Sequence, residues 1–303
     1  MRFLITGGTG FIGGHIACEM LQQGHEVAVT TRSGTSPLVG QERYRTVTCD
    51  TTRPGPWQAE VARCDVIINL AGRSIFTRWN SARKMEMEES RLLTTEHVVG
   101  AIPEDDPPLL LNASAVGFYG DRGDILLGEE EAGGDGFLAD LCQRWEAIAT
   151  KAEAKGSRVV FMRFGAVLGK DGGALATMLP AYKLCLGGPL GNGQQWFPWI
   201  HIDDLVRAVL FLISDETIQG PVNFTAPFLA RHMEFSDTLG QVLGRPAPFA
   251  VPSFALKMIF GELGGELLFS QRVVPQVLSR HGFQFTYPSV ESALGHLIHS
   301  PGA

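Results

Sequence analysis

Over roughly the first 165 residues, short apolar runs alternate with longer segments whose apolar positions recur at helical spacing. Residues 2–6 form the first such run. Glycines at 7, 8 and 10 break it, and residues 11–21 then place apolar side chains on one helical face, with Gly24 as a stop. Residues 26–31, 45–49, 66–70, 109–113 and 158–162 read as five further strands. Between them, residues 79–100 predict a long helix with a polar face, ended by Pro103, Pro107 and Pro108. Residues 137–155 predict another helix, ended by Gly156. This alternation predicts an α/β fold with a Rossmann-type, doubly wound parallel sheet.

After Arg163 the texture changes. Residues 169–193 are rich in Gly, Leu and Pro, and an aromatic stretch at 196–201 precedes a helix that runs to about Ser214, with Asp203 as the expected N-cap. Residues 221–225 predict one more strand, and short helices and loops follow from Ala226. The pattern divides the chain into a dinucleotide-binding domain (1–170, with 200–225 returning to it) and a smaller, mostly helical substrate lobe (171–199 and 226–303).

The opening strand, turn and helix carry the first candidate chemistry. Gly7, Gly10 and Gly13 form G-x-x-G-x-x-G. Gly7 permits the tight turn, Gly10 admits a pyrophosphate close to the backbone, and Gly13 lets the helix lie near the sheet. Gly7, Gly8, Thr9 and Gly10, with Phe11, Ile12 and Gly13 of the first helical turn, are thus the candidate phosphate cradle, at the positive end of a helix dipole. At the end of the second strand an acid would select NAD and an arginine NADP. The chain reads Thr30-Thr31-Arg32-Ser33, which favours NADP with Thr31 and Arg32 on the extra phosphate; an ordinary surface arginine is the other reading. Asp50 either accepts from an adenine amino group or caps the following turn. Leu70, Ala71 and Gly72 end the fourth strand, and the small residues there let a dinucleotide lie across it.

Composition narrows the partners. The 303 residues are 45% hydrophobic, enough for a large core. A net charge of −7 without a basic run argues against nucleic acid or an anionic membrane surface. No apolar segment approaches the roughly 20 residues of a spanning helix. The chain enters a core strand at once, which leaves no room for a targeting peptide, and five scattered cysteines without C-x-x-C fit a reducing cytoplasm. Eight histidines include no H-E-x-x-H, so no metal site is expected.

Several motifs then occur in one order: the Gly-rich turn, Asn69-Leu-Ala-Gly72, Ser114-Ala-Val-Gly-Phe-Tyr-Gly120, Arg163-Phe-Gly-Ala-Val-Leu-Gly169 and Pro198-Trp-Ile-His-Ile-Asp-Asp204. With them the chain resembles the extended short-chain dehydrogenase/reductases. Gly187-Gly-Pro-Leu-Gly-Asn-Gly193, Gln271-Arg-Val-Val-Pro275 and Gly282-Phe-Gln-Phe-Thr-Tyr-Pro288 are similar to the signature stretches of that group's atypical epimerase-family branch of NADP-dependent oxidoreductases. The resemblance implies cofactor contacts at the Gly-rich turn, Thr31, Arg32, Leu70 and Ala71, at Glu86 and Arg91 on the long helix, and at Val167. From their residue types alone, Glu86 and Arg91 read as solvated helix charges and Arg163 as a buried structural arginine.

The superfamily's proton-transfer pair, Y-x-x-x-K, is missing. The chain has four tyrosines, and positions four residues after them hold Thr48, Gly123, Leu186 and Glu291. Anchoring the helix on Glu146, the acid that often follows the motif, puts Leu138 and Cys142 in the two slots. Ser114 and Tyr119 are the substitute catalytic candidates: the serine to polarise a carbonyl, the tyrosine to reach the nicotinamide from the loop beyond the same strand. His201 titrates in a useful range, and Trp196, Phe197 and Trp199 either wall a substrate pocket or fill core. Two readings stay open. One is an NADP(H)-dependent oxidoreductase or epimerase acting on a small carbonyl or hydroxyl compound; the other is a cofactor-binding sensor that does no chemistry. The helices near 79–100 and from 137 also offer a face for a homodimer.

Overall fold

The computed structural model describes residues 1–247 and 249–299. Seven parallel strands form the central sheet: β1 (Arg2–Thr6), β2 (Glu26–Thr31), β3 (Tyr44–Thr48), β4 (Val66–Asn69), β5 (Leu109–Ala115), β7 (Val159–Phe164) and β10 (Gly220–Phe224). Their order across the sheet is β10-β7-β5-β4-β1-β2-β3. The chain winds one way from β1 through β3 and the other way from β4 onward. The crevice above β1 and β4 is therefore the topological switch point, where ligands of open α/β sheets bind.

Apart from the edge strand β3, the sheet is largely buried on both faces, so its strands are mainly apolar and the side-chain period of two sorts them. Phe3, Ile5, Val27, Val29, Ile68 and Leu111 join one core with Ile16 and Met20 of α1 (Phe11–Gln22) and Leu205 and Leu212 of α5 (Ile202–Ser214). Their neighbours Leu4, Ala28, Ile67 and Leu110 join the opposite core with Val98 of α2 (Ser81–Ala101) and Ala149 of α3 (Phe137–Thr150). A second lobe packs α4 (Gly173–Lys183), α6 (His232–Val242) and α10 (Val290–His299) around Trp199, Phe235 and Leu294. The short pairs β8 (Ala166–Leu168) with β9 (Trp199–His201), and β6 (Leu126–Leu127) with β11 (Arg272–Val273), tie this lobe to the sheet. Three short helices, α7 (Ser253–Phe260), α8 (Leu263–Glu266) and α9 (Gln276–Arg280), complete the α-helices among the described residues.

Some expected boundaries move. Strand β7 runs to Phe164 rather than to residue 162, because β5 and β10 flank it that far: Ala115 and Phe224 both stand in register with Phe164. The helix expected over 137–155 ends at Thr150. A 3-10 turn at Glu153–Lys155 follows and closes on Gly156, whose φ of +86° suits glycine. The N-cap of α5 is His201 rather than Asp203: His201 Nδ1 accepts the backbone N–H of Asp203 at 3.0 Å. Strand β10 pairs with β7, so the chain returns to the main sheet after β9 and α5. Among the described residues no helix is long and apolar enough to cross a membrane.

Candidate functional site

At the switch point the Gly-rich turn is a cradle that side chains would fill. Gly7 has φ +68°, and a Cβ there would lie 3.0 Å from the Leu70 carbonyl oxygen. A Cβ on Gly8 would come within 2.5 Å of Val29, and one on Gly13 within 2.5 Å of the Gly7 oxygen and 2.7 Å of Gly8 Cα. Gly10 N–H donates to the Gly7 oxygen at 3.0 Å, and Gly10 caps α1 with no side chain. The first N–H groups of the helix, from Phe11, Ile12 and Gly13, therefore lack intrahelical acceptors and face an open end beside exposed Thr9. The Phe11 ring packs into a hollow lined by Gly169, Gly172 and Gly173, where added Cβ atoms would lie 2.3–2.9 Å from it. The 169–173 segment thus lies across the helix end, over buried Val167, and the His15–Asp171 contact at 3.2 Å holds it.

At the end of β2, Thr31 is buried, and Arg32 is exposed and makes no ion pair among the described residues. Asp50 caps its turn: Oδ1 accepts from the Thr52 hydroxyl at 2.7 Å and the Thr52 N–H at 3.1 Å. Those bonds, followed by the charges of Arg53 and Arg32, outweigh burial and hold its carboxyl below the usual range. Between β1 and β4, the Thr6 hydroxyl donates to Asn69 Oδ1 at 2.6 Å and accepts from the N–H groups of Leu70 and Ala71. Asn69 in turn donates to Thr95 and Asn112. This buried ladder sets the path of Leu70, Ala71 and Gly72. Arg91 closes over it, with Cζ only 2.9 Å from a Cβ on Gly72 and 5.4 Å from the centre of the Trp145 ring. Its one hydrogen bond among the described residues goes to the Met87 carbonyl, and it has no acidic partner there. Glu86 behaves differently: it pairs with Arg83 at 2.8 Å on the half-exposed side of α2.

The catalytic candidates sit behind the cleft surface. Ser114 donates to Glu146 Oε1 at 2.6 Å, and Arg163 clasps the same carboxylate with Nε and Nη2, each at 2.8 Å. Arg163 Nη1 also donates to the Tyr119 hydroxyl, which donates to Asn223 Oδ1. Tyr119 is 0% exposed, so the expectation that it faces the nicotinamide does not hold. Burial pushes its phenol up, with Arg163 only partly opposing. Arg163, 4% exposed, is the buried structural arginine expected. Leu138 abuts Gly117, its Cβ 3.2 Å from the point a Cβ on Gly117 would occupy. Cys142 lies buried beside Ser114, its thiol pushed up to about 11 by burial and by Glu146.

His201 does not titrate near neutrality. It is 1% exposed, and burial, then His296 and His15, hold it down to about 3. His201, Asp203 and His296 bring three ligand atoms within 4.8 Å of one another. The hydrogen bonds assign another role. Nδ1 of His201 takes the helix-capping N–H, so the proton sits on Nε2 and points at His296 Nδ1, 3.1 Å away. No lone pair of His201 remains for an ion, and the pair acts as a clasp between α5 and α10. Of the aromatic stretch, Trp199 is core, Phe197 packs on Phe235, and the Trp196 ring has the guanidinium groups of Arg231 and Arg272 within 5.0 Å of its centre.

Comparison with known proteins agrees with this architecture. A model of the NAD dependent epimerase/dehydratase family matches residues 3–224, most of the chain. The chain belongs to that family. A domain of unknown function, DUF1731, matches residues 251–297. Among relatives of this epimerase/dehydratase chain, the epimerase family protein SDR39U1 homolog, chloroplastic, of Arabidopsis thaliana is 39% identical over 300 residues, covering 97% of this chain and 86% of that one. The crystal structure of human epimerase family protein SDR39U1 (isoform2) with NADPH is 33% identical, with a TM-score of 0.86 over 99% of this chain and all of that one. The Thermus thermophilus UDP-glucose 4-epimerase complex with NAD superimposes with a TM-score of 0.78 over 99% of this chain at 18% identity, a likeness of fold alone.

Sequence reasoning used Glu146 only as a marker and did not anticipate the Ser114–Glu146–Arg163–Tyr119 chain. Its partners are separated by up to 44 residues, and only the pairing of β5 with β7 under α3 brings them together.

Proposed function

We propose that the protein is an NADP(H)-dependent oxidoreductase acting on a small carbonyl or hydroxyl compound in a reducing, cytoplasmic setting. The observation that carries this reading is the glycine cradle beside a helix end without a side-chain cap, with an exposed arginine just past β2 that makes no ion pair among the described residues. The N–H groups of Phe11, Ile12 and Gly13 would hold the pyrophosphate, and Thr31 and Arg32 the 2′-phosphate. Arg91, without an acidic partner among the described residues and poised over Gly72, would steady a ribose or phosphate oxygen. The bound nicotinamide supplies or takes the hydride. In this reading Ser114 can only accept from the substrate, because Glu146 holds its proton. Tyr119 serves as a strut for Arg163.

Replacing Arg32 by Ala tests the assignment of NADP. A charge-assisted bond to phosphate is worth about 1.5–3 kcal/mol, or about 10- to 100-fold in Kd. Calorimetry should show NADPH weakened by that factor and NADH unchanged. Equal loss for both would remove Arg32 as the selector, and no binding of either by the unaltered protein would end the proposal.

A second reading has its own observation. Leu138 and Cys142 stand where the superfamily carries its phenol and ammonium, which fits a nicotinamide-dependent sensor. Assaying NADPH oxidation against a broad carbonyl panel separates the two: binding without turnover supports the sensor.

A further inference from the structure

A proton must reach or leave the substrate oxygen when hydride moves to or from the adjoining carbon. The usual donor is absent, and the polar groups below the cleft are already committed. Tyr119 is sealed from solvent and engaged at both ends. The Ser114 hydroxyl already donates to Glu146, whose two oxygens are held by Arg163. Cys142 is buried and holds its proton up to about 11.

The roof of the cleft offers another group. Helix α8 belongs to the second lobe yet packs down onto the carboxyl ends of the sheet strands. Leu263 is fully buried in a cluster that includes Ala113 of β5, Leu141 of α3 and Trp79, with Leu70, Leu138 and Phe164 against it. Gly261 leads into α8, close enough that a Cβ there would lie 3.2 Å from the Trp79 carbonyl. Glu266, the last residue of α8, reaches toward the start of α3: its Oε1 lies 3.5 Å from the point a Cβ on Gly136 would occupy. Gly136 is two residues before Leu138, the vacated tyrosine slot. The Glu266 side chain is half-buried, so it can exchange its proton with water.

We propose that Glu266 is the proton donor of this site, delivering a carboxyl proton from the roof to the substrate oxygen in place of the missing tyrosine. This rests on the oxidoreductase reading above. In the reducing direction the nicotinamide C4–H bond breaks and a C–H bond forms at the carbonyl carbon. The Glu266 O–H bond breaks, its proton goes to the carbonyl oxygen, and water restores it. In the oxidising direction the carboxylate takes the hydroxyl proton.

The electrostatics suit the task. Burial pushes the Glu266 carboxyl up to about 7; Lys84 opposes this and Glu262 adds to it. A general acid works best when its pKa lies near the working pH. Lys84 sits between the lobes, paired with Glu262 and placed 4.9 Å from the centre of the Phe137 ring and 5.7 Å from that of Trp79. The lysine–phenol partnership of the superfamily is thus replaced by a lysine–carboxyl partnership that spans α2 and α8. These two charges, Lys84 on α2 and Glu262 on α8, are the ones that act on Glu266.

The test has two arms, both on the full chain. Infrared difference titration of the NADPH-loaded protein should show one carboxylic acid ionising near neutrality that Glu266→Gln removes; no such band between about pH 6 and 8 overturns the proposal. With any carbonyl the unaltered protein reduces, Glu266→Gln should lower kcat at least about 100-fold while leaving the Kd for NADPH within threefold. The rate of reduction should fall as pH rises through the Glu266 pKa. Lys84→Met, which removes the opposing cation, should move that fall to higher pH. A Glu266→Gln enzyme within threefold of the original sinks the donor role alone. A protein that binds NADPH but reduces no member of the panel overturns both this and the oxidoreductase reading.

Discussion

Replacing Gly13 by Val should abolish measurable NADPH binding, with an expected loss of more than about 100-fold in Kd, while Gly14→Ala, one residue along, should bind normally. A Cβ on Gly13 would lie 2.5 Å from the Gly7 oxygen and 2.7 Å from Gly8 Cα. Both are backbone atoms of the turn itself, so no rotamer change relieves the contact. Either α1 withdraws from the sheet or the turn opens, and each moves the free N–H groups away from the phosphate they are shaped to meet. At Gly14 a Cβ meets nothing within 4 Å. Alanine there should therefore stabilise α1 by about 0.5–1 kcal/mol, the ordinary helix preference over glycine. Calorimetric binding and thermal unfolding of both variants check the pair. Normal binding by Gly13→Val would show that the cradle is not the phosphate site.

Glu146→Leu or Arg163→Met alone should cost about 3–5 kcal/mol of folding stability, because each leaves the partner's charge uncompensated in the interior. The side chains are 9% and 4% exposed and joined at 2.8 Å by two parallel hydrogen bonds. Arg163 also holds Tyr119 and the Glu129 carbonyl, and its Cζ lies 3.5 Å from the centre of the Phe118 ring. Losing it should therefore loosen the 116–129 segment as well as α3. The double variant Glu146→Leu, Arg163→Met should recover much of the loss, since a buried ion pair exchanged for apolar groups of similar volume is often near neutral. Urea unfolding of the three variants, read as a double-mutant cycle, measures the coupling. A single-variant cost below about 1 kcal/mol would contradict the picture of one interlocked network.

These two regions differ in how far the chain alone reveals them. The cradle is local: Gly7 to Gly13 span seven positions, and a turn between an apolar strand and an amphipathic helix has few alternatives. Arg32 and Asp50 were placed by strand ends in the same way, and Asp50 proved to hold its own turn. The catalytic region is assembled from distant segments. Tyr119 and Ser114 lie five residues apart and were expected to share one cleft surface. The 3-10 turn at Val116–Tyr119 rotates the tyrosine inward onto Asn223 instead. His201 lost its expected titration for a related reason, since capping α5 and meeting His296 left it no solvent.

By itself, the order of apolar runs, glycines and helical stripes determined a doubly wound parallel sheet and the position of its nucleotide crevice, because those follow from periodicity and local turn chemistry. It also determined that the phenol–ammonium pair is missing, which needs only a count of spacings. Which groups share the crevice, and in which protonation state, only the tertiary structure decided. Burial, ion pairing and the descent of α8 onto the sheet edge depend on contacts across more than 100 residues, and side-chain acidity depends on those surroundings rather than on residue type.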